Sequence, residues 1–388
     1  MYMNSMQKYD LIIVGGGILG LSHAYHALLK KKKVLLLEKN SQAMGASIRN
    51  FGQIVPSGFS ATWQGYGRSS LKHYLDIASQ ADIAIRQEGS IYIASDDEEI
   101  QLLEELHQIN QSNDYPSHLL TAEECTFRYP NVTKQYCKAA LFFPEEINAD
   151  SQKTIPAITL FLIKNLGLDV AYNRTIIDIY TNAHEVIAFD HQGDKWLGEQ
   201  LVLCNGDEFS TLFPELFAES DITLVKLQMM ETVPQINTLK IPGSILTGWT
   251  IRRYESFQEC PSYQTIKSRE NEQDFQRRFG VHILFKQTAE GSVILGDSHE
   301  YADVNQRDDL RLFETNEVIN SFMTDAASKI MDLDYKIART WIGCYSQRKS
   351  GEIYHHTIDD RIHIVTAIGG KGMTGSLGWA EEHINKIF

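Results

Sequence analysis

The sequence has 388 residues, of which 43% are hydrophobic and 22% charged, and its formal net charge is −14 at pH 7. This length and composition are typical of a globular protein of about two domains. The acidic balance argues against a nucleic-acid partner, because binding to phosphates needs a basic surface.

The first predicted elements form the most informative stretch of the chain. Residues 11–14 are apolar and mostly β-branched, as in a strand buried on both faces of a parallel sheet. Gly15, Gly17 and Gly20 follow with the spacing of a dinucleotide-binding turn. In such a turn the glycines permit a tight bend, close approach to a pyrophosphate and close packing of helix on strand. A helix predicted over 18–30 would direct its free N–H groups at the phosphates.

The second predicted strand, residues 34–37, ends at Glu38. A carboxylate at this position can accept hydrogen bonds from both hydroxyls of a ribose. Its charge repels a 2′-phosphate, which argues against NADP. The order of strand, glycines, helix, strand and acid within the first 38 residues is the context that a dinucleotide-binding motif requires.

A loop of small residues follows over 44–58 and carries Arg49, Asn50 and Gln53. It is too polar for a core segment and too specific in composition for a linker. Beyond it, the patterns predict helices over 63–88, 96–110 and 151–166 and strands over 90–94, 169–179, 186–190 and 200–204. The last of these strands leads into a small-residue turn at Asn205 and Gly206.

The second half of the chain is predicted to be richer in strands. The patterns indicate strands over 224–233, 243–254, 281–287 and 292–296 and a helix over 308–331. A strand over 362–367 then enters a second glycine-rich turn, 368–376, which is followed by a closing helix.

The two ends of the chain therefore belong in one sheet, whereas the block between them is antiparallel in character. We predict an α/β fold (α+β overall), in which a Rossmann-like cofactor-binding domain is interleaved with a second, antiparallel-sheet substrate domain. The first domain is assigned residues 1–80, 145–215 and 332–388, and the second residues 81–144 and 216–331. A ligand would lie in the crevice where the domains meet.

Three sequence features bear on location. No apolar stretch approaches the roughly 20 residues that span a bilayer. No basic-then-apolar signal pattern precedes the first predicted strand. The five cysteines are odd in number and scattered, which favours reduced thiols. We therefore expect a cytoplasmic protein without a membrane span.

Taken together, the motifs resemble one known family along the whole chain. The matching pieces are residues 15–20 with Glu38, 45–47, 202–206, 341–343 and 369–376. They resemble the FAD-dependent amine and amino-acid oxidases, which include D-amino-acid oxidase, glycine oxidase and sarcosine oxidase. Residues 46–53, 252–254 and 296–301 most resemble a bacterial branch suspected, from its association with phosphonate-degradation enzymes, of acting on an aminophosphonate.

The resemblance implies FAD held by the first domain, with its isoalloxazine ring at the domain interface. Carried over residue by residue, it places the ADP half on Gly15, Gly17, Ile18, Gly20, Glu38 and Lys39. It places the pyrophosphate and flavin beside Ser47, Arg49, Asn50 and Gly206, and the flavin N1–C2=O edge against Gly370, Gly372, Met373 and Thr374. Lys371, at a helix start, would stabilise the negative charge that collects at this edge on reduction. The alternative for Lys371 is a solvated loop lysine.

Two departures from the family pattern affect the substrate and the cofactor. Where many members have an arginine for the substrate carboxylate, this chain has Tyr345, with Arg348 at a different spacing. The cysteine that carries FAD in sarcosine oxidase aligns one position before Cys344, so we predict noncovalent FAD.

An anionic group could instead bind Arg252 or Arg253, because the fork of an arginine suits a phosphonate as well as a carboxylate. Both arginines are expected at the end of a strand, so that only one faces the flavin and the other meets solvent or an acidic neighbour. Gln53, Tyr254 and Tyr345 complete the predicted substrate site.

Among the histidines, His299 is the candidate for a functional role, since it follows a strand expected to border the site, and His282 is the next. His355 and His356 are neighbours on a strand and point opposite ways. His23 and His26 lie on the helix that packs against the cofactor sheet. No metal site is predicted.

The resulting prediction is an FAD-dependent oxidoreductase that dehydrogenates the C–N bond of a small anionic amine, an amino acid or aminophosphonate, by hydride transfer to flavin N5. Oxygen or an electron carrier would be the acceptor. One alternative is an FAD-dependent dehydrogenase of a hydroxy acid or polyol phosphate that passes electrons to a carrier, with His299 as the base for the hydroxyl proton. The other is a flavin-binding protein without turnover.

Overall fold

The structure is a computed structural model that describes residues 7–236 and 239–388. Its strands are β1 (Lys8–Val14), β2 (Val34–Glu38), β3 (Gln53–Ile54), β4 (Ile85–Arg86), β5 (Ser90–Ala94), β6 (His118–Thr121), β7 (Ala139–Phe143), β8 (Ile147–Ala149), β9 (Asp169–Tyr172), β10 (Ile176–Thr181), β11 (Val186–Asp190), β12 (Lys195–Leu203), β13 (Ile222–Thr232), β14 (Ser244–Leu246), β15 (Leu284–Gln287), β16 (Val293–Gly296), β17 (Glu300–Asp303), β18 (Ile337–Arg348), β19 (Tyr354–Ile358) and β20 (Ile362–Thr366). Its helices are α1 (Ile18–Leu29), α2 (Ala46–Arg49), α3 (Ala61–Ala78), α4 (Asp97–Ser112), α5 (Ala122–Arg128), α6 (Ser151–Leu166), α7 (Pro214–Ala218), α8 (Gly248–Ile251), α9 (Glu255–Gln258), α10 (Tyr263–Lys267), α11 (Phe275–Arg278), α12 (Arg307–Arg311), α13 (Glu317–Ile330) and α14 (Gly372–Ile387).

The first sheet holds the dinucleotide motif. Its strand order is β10-β11-β12-β1-β2-β9, and β20 and β19 continue it beside β12. The core strands β1, β2, β9, β12 and β20 are parallel where they pair. Helix α1 packs on α14 and α6, and α14 packs on α3. Because this layer covers the sheet, β1 and β2 are apolar along nearly their whole length.

Glycine is required at two positions of the first turn. Gly15 has a φ of +109°, and a Cβ there would collide with the carbonyl of Cys204. A Cβ on Gly20 would collide with the carbonyl of Gly15. Helix α1 can therefore approach the end of β1 only because both side chains are absent.

The second sheet is largely antiparallel, with the order β17-β13-β16-β15-β14-β5-β7-β6, and β18 also pairs with β13. A third, small sheet is formed by β3, β8 and β4, in that order. These layers confirm the predicted α/β class with a second, antiparallel sheet. The predicted domain division placed 332–388 in the first domain, whereas β18 lies in the second sheet. Residues 1–6 of the predicted first domain and 237–238 of the predicted second domain lie outside the described residues.

Three predicted elements are shorter than expected or are interrupted in the structure. The helix predicted over 63–88 ends at Ala78, because the chain then turns to pair β4 with β8. The helix predicted over 308–331 is broken before Asn316, whose side chain caps α13 by accepting from the Val318 N–H. The strand predicted over 169–179 is split around Asn173, which has a φ of +57°.

The strand predicted over 243–254 was wrong beyond Leu246. The chain turns into α8 there, and the Thr247 carbonyl accepts from the N–H groups of Thr250 and Ile251. The Thr247 hydroxyl donates to the Ile283 carbonyl at 2.8 Å. These contacts satisfy the backbone locally, so the β-branched residues of this stretch do not extend the strand.

Among the residues described, no helix has the combination of length and apolar composition needed to cross a membrane.

Candidate active site

A cleft of about 860 Å³ is lined by residues of both large sheets and their connecting loops. This volume is in the range of cofactor and substrate pockets. From the first sheet come the glycine turn and Glu38; from the second sheet comes Tyr345, with Arg253 and His282 in the neighbouring loops. The cleft therefore lies at the crevice where the sequence predicted a ligand.

Glu38 is buried at the end of β2 and lies over the glycine turn. Its Oε2 accepts from the Gly16 N–H at 2.8 Å, and its Oε1 accepts from the Asn40 N–H at 2.9 Å. The Ile18 N–H at the start of α1 donates to the Ser47 hydroxyl at 2.9 Å. The carboxylate and the helix N-terminus thus border the same part of the cleft, an arrangement that could hold a ribose and a phosphate.

The glycines of the cleft wall leave room for such a group. A Cβ on Gly45 or on Gly206 would meet no atom within 4 Å, so open space lies in front of both residues. A Cβ on Gly17, in contrast, would lie 2.9 Å from the Ser47 hydroxyl. This cradle fits an extended ligand that passes along the backbone, as a dinucleotide does.

The loop after β2 is held by Asn50. Its Nδ2 donates to the carbonyls of Ala46 and Ser47 at 3.0 and 2.8 Å, and its Oδ1 accepts from the Gly52 N–H at 2.8 Å. The side chain of Asn50 is therefore engaged in shaping the loop. Arg49 is exposed on the cleft wall, and its carbonyl accepts from the Trp341 indole at 3.0 Å.

The second glycine turn brings Gly370, Gly372 and Met373 to the cleft, where α14 begins. Lys371 is 9% exposed, and its Nζ lies 2.5 Å from Glu255 Oε1 and 2.8 Å from Glu352 Oε2. It is thus a buried, doubly paired lysine, and the alternative of a solvated loop lysine was wrong.

Thr374 does not line the cleft as predicted. It is buried, and its hydroxyl accepts from the Val55 N–H at 3.1 Å. The reason is the packing of α14 on α3 and β3, which brings the Thr374 hydroxyl to Val55 and away from the cleft.

Arg252, predicted as a substrate residue, is a structural ion-pair residue. Its guanidinium binds Asp96 at 2.7 Å, Glu98 at 3.0 Å and Glu99 at 2.9 Å, all at the start of α4. It is absent from the cleft lining. The two arginines lie in the turn after α8 and their side chains point in different directions. Arg252 is bound by the carboxylates at the start of α4, whereas Arg253 is not.

Arg253 does line the cleft. Its Nη1 donates to the Gly280 carbonyl at 3.2 Å and its Nη2 to the Tyr301 hydroxyl at 2.9 Å. It forms no salt bridge with any described residue. Burial opposes its charge, but Tyr301, Tyr345 and Asp297 raise the pKa of the guanidinium. A half-buried cation without a bound carboxylate among the described residues is a candidate anchor for an anionic ligand.

Beside Arg253 lie two histidines and an aspartate. His282 Nε2 is 2.6 Å from Asp297 Oδ1, and His299 Nδ1 is 3.9 Å from the same oxygen. Burial opposes the charge of Asp297, but the two histidines and Arg253 lower the pKa of its carboxyl. Burial, assisted by Arg253, lowers the pKa of His299 to about 3. Asp297 is therefore an anion and His299 a neutral imidazole at pH 7.

The remaining predicted substrate residues meet at the same place. Tyr254 and Tyr345 line the cleft, and burial raises the pKa of both phenols, which stay protonated. Gln53 Nε2 donates to the Tyr254 hydroxyl at 2.9 Å, and its Oε1 is buried without a hydrogen-bond partner among the described residues. This unsatisfied acceptor is free to receive a hydrogen bond from a ligand.

Sequence reasoning missed Asp297 and Lys286. Asp297 lies in the 296–301 motif, in which the sequence analysis singled out only His299. Only the fold shows that His282 lies next to Asp297. Lys286 is buried on β15, and its Nζ donates to the Ala149 carbonyl at 2.7 Å. Burial lowers its pKa to about 7. A lysine inside an apolar strand was the signal available for it.

Comparisons with known proteins agree with a cleft that fits a dinucleotide. A family model described as "FAD dependent oxidoreductase" matches residues 10–384. L-2-hydroxyglutarate dehydrogenase of Escherichia coli (strain K12) is 25% identical over 207 residues, which are 51% of this chain and 47% of that protein. Glycerol 3-phosphate dehydrogenase of Caloramator mitchellensis is 21% identical over 339 residues, 86% of this chain and 63% of that protein. The chain thus spans about half the length of the first of these relatives.

The fold is similar to that of the crystal structure of glycine oxidase from Geobacillus kaustophilus. The TM-score is 0.75 over 98% of this chain and 95% of that chain, at 14% sequence identity. At this identity the likeness shows a shared fold.

Proposed function

The chain belongs to the FAD-dependent oxidoreductase family, and from that premise we propose that it dehydrogenates the C–N bond of a small amine that carries an anionic group. Its cofactor is FAD. Bound FAD accepts a hydride at its N5 atom, and the protein positions the substrate carbon against it.

In this proposal the first-sheet part of the cleft holds the ADP half of FAD. Glu38 accepts hydrogen bonds from the ribose hydroxyls, and Gly17 offers its backbone N–H to the phosphates, with Lys39 nearby. Gly15 and Ile18 border the phosphates, but their own N–H groups donate to the Leu37 carbonyl and the Ser47 hydroxyl. The buried carboxylate at the end of β2 and the open space before Gly45 and Gly206 support this assignment. The flavin edge would lie along Gly370, Gly372 and Met373, where the N-terminus of α14 favours negative charge.

Lys371 was predicted to stabilise the negative charge at the flavin edge, and we now propose a different role for it. Its ammonium is already paired with Glu255 and Glu352. Because two carboxylates offset its charge, we assign it to positioning the glycine turn, and the backbone N–H groups of that turn stabilise charge at the flavin edge.

The observation that carries the substrate proposal is the guanidinium of Arg253, which lines the cleft and forms no salt bridge within the described chain. Its fork suits a carboxylate or a phosphonate. Gln53, Tyr254 and Tyr345 surround the same space and offer a free amide oxygen and two protonated phenols. A small molecule with an anionic group at one end is the ligand that these groups fit.

The neighbouring histidines fit an amine at the other end. Loss of hydride from the carbon of a neutral amine leaves an iminium ion, so no proton has to leave in the same step. A neutral His299 can accept a hydrogen bond from the amine N–H, and Asp297 balances the positive charge that develops. The iminium then hydrolyses to a carbonyl compound and a released amine.

A second candidate is the oxidation of a hydroxy acid or a polyol phosphate. The pair of His282 and Asp297, 2.6 Å apart, supports it, because a hydroxyl must lose a proton as its carbon loses hydride. The names of the two sequence relatives concern such substrates. The same Arg253 would then hold a carboxylate or phosphate.

Anaerobic reduction of the bound flavin separates these candidates. The FAD-loaded protein is mixed with aminophosphonates, amino acids, N-methyl amino acids, hydroxy acids and glycerol 3-phosphate, and the flavin absorbance is followed. Bleaching by an anionic amine supports the proposal. Faster bleaching by a hydroxy compound supports the second candidate, and no bleaching by the whole panel indicates a flavin-binding protein without turnover. Readmitting oxygen, or an artificial carrier, then identifies the acceptor.

A further inference from the structure

Three histidines from separate elements meet outside the cleft. His355 lies on β19, His363 on β20 and His383 on α14. One ring nitrogen of each lies within 4.8 Å of one ring nitrogen of each of the others. None of the three lines the cleft. Their spacing along the chain follows no metal motif, which is why the sequence predicted no metal site.

A fourth histidine, His23 on α1, determines which nitrogen of His383 is free. His23 Nδ1 lies 2.7 Å from the Leu19 carbonyl, which can only accept, so Nδ1 carries the proton. The other nitrogen of His23 is then an acceptor, and it lies 2.9 Å from His383 Nδ1. His383 therefore donates from Nδ1, and its Nε2 keeps a lone pair. Outer-shell partners of this kind orient metal-ligating histidines.

The other two histidines present nitrogens to one side of the β19–β20 hairpin. The Thr357 hydroxyl lies 3.4 Å from His355 Nε2 and 3.2 Å from His363 Nδ1. Thr357 and His363 are opposite each other across the two strands. His355, two residues before Thr357, shares its face. His355 is exposed, whereas the other two rings are buried, so an ion could enter beside His355.

We propose that His355, His363 and His383 bind one divalent transition-metal ion of the zinc class. Imidazole nitrogens suit such ions, and three of them leave a fourth tetrahedral position for water. Zinc–nitrogen distances of about 2.0–2.1 Å put the nitrogens roughly 3.4 Å apart, so nitrogens that now lie within 4.8 Å of one another close to that spacing when the ion binds. The exposed ring of His355 is free to make most of this movement.

The ion would link the β19–β20 hairpin to α14. Strand β20 leads into the glycine turn at the cleft, and α14 follows it. A metal at this point would therefore stabilise the elements that carry the turn without touching the cleft.

A neighbouring cluster is an alternative site for the ion. His26, His73 and Glu381 also have potential ligand atoms within 4.8 Å of one another. Two of its rings are engaged, since His26 Nε2 lies 2.8 Å from the Leu377 carbonyl and His73 Nε2 lies 3.1 Å from Glu381. In the three-histidine cluster His363 Nε2 also lies 3.1 Å from the Gln200 amide, but the exposed His355 ring has only a long contact, 3.4 Å, with the Thr357 hydroxyl. We therefore assign the ion to the three-histidine cluster.

The test is calorimetric titration of Zn²⁺ into tag-free, FAD-loaded protein that has been stripped of metal with a chelator. The variants are His355→Ala and, as a matched control, His356→Ala, which removes the exposed neighbour on the other face of β19. We expect one Zn²⁺ per chain, an affinity at least tenfold lower in His355→Ala, and no change in His356→Ala. Saturating Zn²⁺ should raise Tm in the wild type and in the control but not in His355→Ala.

Three results would overturn the proposal. The first is the absence of Zn²⁺ binding by the wild type. The second is equal binding by the wild type and His355→Ala. The third is binding that is lost in Glu381→Gln but kept in His355→Ala, which would place the ion in the neighbouring cluster.

Discussion

The Nε2 atom of His282 lies 2.6 Å from Oδ1 of Asp297 in the wall of the cleft. Since Arg253 lines the same wall, the cleft contains a half-buried cation as well as the buried anion Asp297. A substrate that carries a negative group and a nitrogen that becomes positive matches both. This charge arrangement leads to the following predictions.

Arg253→Lys should lower kcat/KM for the best substrate by at least tenfold, because an ammonium cannot reproduce the two-pronged contact of a guanidinium. Arg252→Lys is the matched control: it disturbs three ion pairs with α4, so it should lower Tm while leaving kcat/KM nearly unchanged. FAD content should stay normal in both variants. If Arg253→Lys turns over normally, the anchor lies elsewhere, and Arg49 is the next candidate on the cleft wall.

Glu38→Ala should weaken FAD binding by about tenfold or more, since charge-assisted hydrogen bonds contribute roughly 1.5–3 kcal/mol and about 1.4 kcal/mol is one decade of affinity. The variant also removes the acceptor of the Gly16 N–H. Titration of apoprotein with FAD, followed by quenching of flavin fluorescence, measures the effect. Glu38→Gln, which keeps an acceptor, should lose less. Unchanged affinity in Glu38→Ala would show that the carboxylate does not bind the ribose.

Acid precipitation of the yellow holoprotein should leave all of the flavin in the supernatant, where it should chromatograph as FAD. The basis is the resemblance to sarcosine oxidase: the cysteine that carries FAD in that enzyme aligns one position before Cys344. Cys344 lines the cleft, so its thiol is the one to test. Flavin that stays with the protein pellet in the wild type, and is released from Cys344→Ala, would demonstrate a covalent link.

The free energy of unfolding should fall as the pH is lowered from about 6.5 towards 3. Burial, with Arg253, holds the pKa of His299 at about 3, so the unfolded chain binds more protons than the folded chain throughout this window. At pH 5 the loss from this one group is about 2 kcal/mol. Urea unfolding at pH 7 and pH 5 should show a smaller difference for His299→Asn than for the wild type. The same difference in both proteins would contradict the burial of a neutral imidazole.

The local patterns of the sequence were sufficient for much of the fold. Strand β1, helix α1 and strand β2 follow the apolar runs and glycines closely, and β5 and α6 have the predicted bounds. Such elements depend on their own periodicity and caps. The stretch after Leu246 does not, because the Thr247 side chain bonds to the distant Ile283 carbonyl while its backbone closes a local helical turn, and there the predicted strand failed.

The site divides in the same way. The position of Glu38 follows from the strand that it ends. The choice between Arg252 and Arg253 does not follow from two adjacent arginines, since it depends on Glu99, more than a hundred positions earlier in the chain. The pairing of His282 with Asp297 and the meeting of three histidines near α14 likewise depend on the tertiary fold. Local sequence can nominate such residues but contains no information on which of them meet.

The most direct test of the central claim is the rate of anaerobic flavin reduction with matched substrates. An anionic amine, the same molecule with a hydroxyl in place of the amine, and the amine without its anionic group are compared in stopped-flow experiments on the wild type and Arg253→Lys. We expect rapid reduction only by the anionic amine, and loss of that rate in Arg253→Lys. Reduction that is fastest with the hydroxy compound, or equally fast without the anionic group, would contradict the account.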